Sequence, residues 1–190
     1  MSTSSFVARP TDTGYTGVYV HFDGYPSSRL PLLLAAYQYR FNRDVEAISV
    51  HLVDEVDVAW DELGTDLLDG APKSLATQLA GRDRWPSRQM HNVVNADGSP
   101  AEREVITEAN SSYLEWGYIL RPEGIEVISL TEVARGPVVA WDTDPRTRFS
   151  DHPSLWLPGQ PVPATRPPRS APPLAAPAPA SPAARPAAHR

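Results

Sequence analysis

Val18-Tyr19-Val20-His21-Phe22-Asp23-Gly24-Tyr25-Pro26 alternates apolar and polar side chains and then breaks on Asp-Gly. Alternation of period two predicts a strand from Val18 to Phe22, with Val18, Val20 and Phe22 facing the core and Tyr19, His21 and Asp23 on the other face. Asp23-Gly24 turns the chain into a stretch of helical period. Leu30, Leu33, Leu34, Tyr37 and Phe41 share one helix face, Ser27 and Ser28 offer N-caps, and Pro31 suits a first turn. A strand leading directly into an amphipathic helix sets the fold class.

Working outward, Phe6 to Arg9 reads as a strand that a turn at Thr11-Asp12-Thr13-Gly14 folds back into the first hairpin. After the first helix, Asn42 or Asp44 caps a second one with Val45, Ile48 and Leu52 on its apolar face. The acid-rich segment Asp54 to Asp69 reads as a solvated face over a few apolar anchors, Pro72 to Gly81 as a short helix, and Gly81 to Glu104 as a long loop. From Tyr113 the period is two again: Leu114, Trp116, Tyr118 and Leu120 form one row and Tyr113, Glu115, Gly117 and Ile119 the other. Pro122-Glu123-Gly124 returns the chain as Ile125 to Leu130, and a turn at Arg135-Gly136 precedes Val138 to Trp141. Strands at both ends with helices between them predict an α+β domain, a mainly antiparallel sheet with its helices packed on one face.

The chain has 190 residues, 41% of them hydrophobic, enough for one sizeable core. Residues 1–157 are the expected globular domain. Eleven of the 21 prolines follow Leu157, and that Pro/Ala/Arg-rich composition predicts a disordered tail over 158–190 with polyproline II character. Pro179-Ala180-Ser181-Pro182 matches PxxP, as such a composition does by chance. The tail carries four arginines and no acid within a net charge of −6, so the domain ahead of it is strongly acidic. A surface of that sign disfavours nucleic acid as a partner. No Cys is present, which excludes disulfides and thiolate chemistry and fits a reducing compartment. With neither a signal-peptide pattern at the N-terminus nor an apolar run of membrane-spanning length, the expected location is cytoplasmic.

The candidate chemistry lies on the polar faces of the two alternating strands. If they are neighbours, His21, Asp23 and Glu115 converge, and one His with two carboxylates can act as an acid/base pair or hold a divalent cation. Tyr19, Tyr25 and Tyr113 are the aromatic candidates for binding. The bland alternative has Asp23 bonding turn amides, His21 bonding a neighbouring strand or Tyr, and Glu115 solvated. Asp142 and Asp144 could chelate a cation, though Asp144-Pro145 reads equally as a turn. His51 falls on the polar side of the second helix and is expected to be exposed; His91 and His152 fall in loops. Asn110-Ser111-Ser112 matches a glycosylation sequon that a cytoplasmic chain does not use. No Walker A loop, Rossmann glycine pattern, GxSxG or HExxH is present, so the cofactor is left open.

Tyr19-Val20-His21-Phe22-Asp23-Gly24-Tyr25-Pro26 before a Leu-rich helix, with Glu115-Trp116-Gly117-Tyr118 later, resembles a group of small uncharacterised bacterial and phage proteins. Their pattern is Tyr-x-His-Trp-Asp-Gly-Tyr-Pro followed by a Glu-Trp/Tyr-x-Tyr strand. Phe22 stands where that group has Trp, and the opening Met1-Ser2-Thr3-Ser4-Ser5 differs from its Gly-Thr-Arg-Ser. The resemblance spans roughly residues 1 to 130 and implies a shared fold and a shared site at His21, Asp23 and Glu115, but no reaction. Three functions follow as expectations: an accessory or binding protein whose polar sheet face takes a small polar ligand or a protein partner; a small metal-dependent or acid/base hydrolase using His21, Asp23 and Glu115; or an acidic inhibitor mimicking nucleic acid.

Overall fold

A computed structural model describes residues 3–80, 85–90, 94, 97–99 and 101–165. The chain opens with strands β1 (Ser5–Thr11) and β2 (Gly14–Val20), followed by helices α1 (Pro26–Ala35) and α2 (Val45–Ser49), each running on into a π-helical turn. Strand β3 (Trp60–Glu62), a 3-10 turn at Thr65–Leu68, helix α3 (Lys73–Ala80) and strand β4 (Arg88–Gln89) come next. The meander β5 (Trp116–Arg121), β6 (Gly124–Ser129) and β7 (Ala134–Ala140) precedes a small ribbon of β8 (Arg148–Phe149) and β9 (Ala164–Thr165).

The main sheet has the order β4-β3-β2-β1-β5-β6-β7. Pairs β1·β5 and β2·β3 are parallel and the other four antiparallel, so the sheet is mixed and the class is α+β. Its helical face carries Val7, Val18, Val20, Trp116, Tyr118 and Leu120 against Leu30, Leu33 and Leu34 of α1 and Ile48 and Leu52 of the second helix, all buried. That is the helix face the leucine spacing predicts. The opposite face is also covered: Phe6, Ala8, Ile119 and Ile128 pack with Ile106 and Leu114 from the segment between β4 and β5. Ile106 is pinned to β2 by two bonds with Gly17, of 2.8 and 2.9 Å. β5 is therefore buried on both faces rather than half-buried, and Gly117 is the residue that permits it. A Cβ there would lie 2.2 Å from the Phe6 ring, which occupies the space directly across the β1·β5 register.

Several expected boundaries move. β2 ends at Val20, and Phe22 is 38% exposed instead of facing the helices, because His21 and Phe22 leave the ladder with β1 and bond the backbone of β3. Helix α1 starts at Pro26, earlier than expected, with Pro31 inside it and no cap from Ser27 or Ser28. Asp44 does cap α2, accepting from Glu46 and Ala47 amides. Within the acid-rich segment β3 is a strand the sequence does not announce, three residues long and held mostly by its neighbours' backbone. The turn before β7 falls at Leu130–Val133, with Val133 at φ 50°, and Arg135-Gly136 lies inside the strand at a bulge. Order extends past Leu157: Ser150 N donates to the Pro163 carbonyl (3.0 Å) and Val162 packs on the core. The remainder of the expected tail, with its PxxP, lies outside the described residues, as does His91. Among the described residues no helix is long and apolar enough to cross a membrane.

Candidate functional site

The sheet order decides the fate of the His21, Asp23 and Glu115 trio. β1 stands between β2 and β5, so the backbones of His21 and Glu115 are two strand spacings apart, about 10 Å. Glu115 is exposed just ahead of β5, and Asp23 lies beside β3 instead. Among the described residues no three of His, Asp and Glu stand close enough to hold a metal ion. Asp144 caps its own turn through the Arg146 amide (2.9 Å), while Asp142 is exposed on the surface.

Sheet geometry instead brings Tyr19 and Tyr113 together. They line one groove of about 250 Å³ with Glu102, Glu104, Val58 and Ala59. Tyr19 comes from β2, and Tyr113 from the turn that leads into β5. The Tyr19 hydroxyl meets His21 Nδ1 at 2.8 Å, so His21 braces the ring from behind. Tyr113 donates to Glu104 Oε2 at 3.0 Å. Partial burial, that bond and the adjacent Glu104 charge push Tyr113 up to about 12, and burial with Asp61 nearby raises Tyr19. Both phenols are neutral across the physiological range, and the groove's charge is that of its carboxylates.

Among the described residues the nearby arginines are engaged elsewhere. Arg103, between the two glutamates in sequence, turns away to the carbonyls of Asp54 and Val56, and Arg88 is held by Asp61. The groove therefore combines two aromatic rings, an apolar floor and acceptor-only walls. Its chemistry suits an ammonium or guanidinium group, attracted by ring quadrupole and carboxylate together.

Tyr25 is elsewhere, preceding α1 with its carbonyl bonded to the Ser28 and Arg29 amides. His152 is exposed beside Ser154. His51 is half-buried, contrary to expectation, between the Phe41 and Trp60 rings, and burial with Arg40 nearby holds it below the usual imidazole range. Asn110 uses its side chain to close its own loop through Thr107 and Val105. Sequence reasoning missed Glu102 and Glu104, which sit in a stretch without period. It also missed the buried Arg29 and the partly exposed Glu62. No family model, curated protein or solved structure matches the chain.

Proposed function

We propose that this is a binding protein that takes a cationic head group, on a small polar ligand or on a partner's side chain, in the Tyr19–Tyr113 groove. The observation that carries this reading is the convergence of Tyr19 from β2 and Tyr113 from the turn before β5 with Glu102 and Glu104, in a groove that no arginine among the described residues neutralises. An exposed groove of this size gives weak affinity for an isolated group, and a full partner would add contacts along the sheet face.

Calorimetric titration at low salt with N-acetyl-arginine amide and with spermidine tests it. Saturable binding is expected, weakening as salt rises and falling about tenfold in Glu104→Gln, the loss of one charge-assisted bond. Tyr113→Ala should weaken it comparably, whereas Glu115→Gln should leave it alone. Binding indifferent to salt and to Glu104→Gln, or matched by acetate, would sink the proposal.

A further inference from the structure

The loop after β2 is built to hold one carboxylate outward. His21 N and Phe22 N donate to the Trp60 and Asp61 carbonyls, each at 3.0 Å. Asp23 then adopts φ 58°, a left-handed conformation that costs a non-glycine residue energy unless its surroundings enforce it. They do so here. Arg29 Nη2 donates to the carbonyls of Phe22 (2.7 Å) and Asp23 (3.1 Å), and the Tyr118 hydroxyl donates to that of Gly24 (2.6 Å). Gly24 N donates to the Thr3 carbonyl at 2.9 Å, in a space so tight that a Cβ would lie 2.6 Å from that oxygen. Arg29 is 2% exposed, forms no ion pair among the described residues, and leaves Nε without a hydrogen bond. A buried guanidinium spent on the carbonyls of two loop residues calls for an explanation, and the loop's exposed product is Asp23.

Asp23 opens onto a cleft of about 390 Å³ at the carboxyl ends of the parallel strands β2 and β3. Ligand sites form in this position in sheets with helical crossovers, because the loops there splay apart. Glu62 lines the same cleft as Asp23, one residue past Asp61, whose carbonyl accepts from Phe22 N. Ser28 and Thr65 supply hydroxyls to the lining, Leu32 supplies an apolar wall, and Trp85, 67% exposed, forms the rim. The α1 amides do not make this an anion site: Ser27 N is taken by Asp151 (2.8 Å), and Ser28 N and Arg29 N by the Tyr25 carbonyl. Neither the Asp23 nor the Glu62 carboxylate has a hydrogen-bond or ion-pair partner among the described residues, so the cleft offers acceptors and wants donors. Two carboxylates are too few for a hard cation, and the Arg29 charge buried behind them offsets part of their own. What remains favoured is a neutral ligand, rich in hydroxyl donors on one edge and apolar on one face.

We propose that this cleft binds a vicinal diol, of a pyranose or of a nucleoside ribose, with Asp23 and Glu62 accepting from adjacent hydroxyls and the Trp85 indole covering the C–H face. The site is separate from the Tyr19–Tyr113 groove and stands whether or not that groove binds a cation.

Trp85 gives the test its readout. The other four tryptophans are each at most 5% exposed, so acrylamide quenching of the full chain reports chiefly on Trp85. Methyl α-glucoside, methyl β-galactoside, methyl α-mannoside and adenosine should be titrated singly, the glycosides reporting a free sugar and adenosine a ribose. At least one is expected to protect the fluorescence saturably in the millimolar range, about tenfold more weakly in Asp23→Asn and in Glu62→Gln. Asparagine tolerates the left-handed backbone, so Asp23→Asn leaves the loop intact, and Tyr113→Ala should not affect this binding. The proposal is overturned if no probe gives saturable protection, or if protection is unchanged in both carboxylate variants.

Discussion

Glu126 shows how a single carboxylate can organise an edge of the sheet. It is buried on β6 yet accepts from Arg121 Nε (2.5 Å) and from Arg135 Nε (2.8 Å), and Arg135 reaches on to Glu108. Burial alone would raise its pKa, but the bonds from Arg135 and Arg121 outweigh that and hold it below its ordinary value of 4.5. A depressed folded pKa means that the group stabilises the fold fully above the unfolded value, and that this contribution is lost as pH falls through the folded one. Glu126→Gln should therefore cost about 1–3 kcal/mol at neutral pH, and the gap from the parent protein should shrink steadily below pH 4.5. Urea titrations of both proteins at neutral and acid pH measure this; a gap that persists undiminished in acid would show that the pair acts by shape and not by charge. No such network can be read from the sequence, because Arg121, Glu126 and Arg135 meet only through the register of β5, β6 and β7. The same holds for Arg29, which in sequence is one more charge at the start of a helix.

At the scale of elements, legibility follows the range of the interactions. The leucine face of α1, the Asp44 cap, the first hairpin and the β5·β6 hairpin all depend on residues a few positions apart, and each is found where the periodicity and turn chemistry put it. β3 and the parallel β1·β5 pairing depend on partners far along the chain, and no local pattern announces them. The candidate trio failed on that same point, since neighbouring strands were needed and β1 intervenes. Tyr19 and Tyr113 nevertheless share a groove, because wide side chains bridge what the backbone does not. The start of α1 is another non-local device: Tyr25 provides no side-chain cap, and Asp151 accepts from Ser27 N at 2.8 Å and from Ser27 Oγ at 2.7 Å. A carboxylate at a helix N-terminus also faces the positive end of its dipole. Asp151→Ala should cost about 1 kcal/mol, and Asp151→Asn less, since its amide oxygen still accepts. Chemical denaturation orders the three proteins, and an alanine variant as stable as the parent would mean that water caps the helix equally well.

For the whole molecule, the composition change at Pro158 and the physical edge of the domain do not coincide. Trp156 is fully buried, edge-on to Trp116 at 6.3 Å, and its indole donates to the Ser150 carbonyl at 2.8 Å. Past it the chain returns, so that β9 pairs with β8, Val162 lies on the core, and β8 rests beside α1. Proline content signals a segment that cannot build its own core, but it does not prevent a short piece from docking on one already made. Asp151, which caps α1, lies within the stretch that this returning segment secures. A chain ended after Leu157 should therefore melt below one ended after Thr165, by an amount set by the lost Val162 contact and ribbon bonds. About 1–2 kcal/mol is expected, or roughly 3–6 °C for a domain of this length. The shorter chain should also gain less from an intact Asp151 than the longer one does, because its cap is no longer tethered; a double-mutant cycle of the two truncations with Asp151→Ala measures that coupling. Equal melting temperatures for the two truncations would put the edge of the domain back at Leu157.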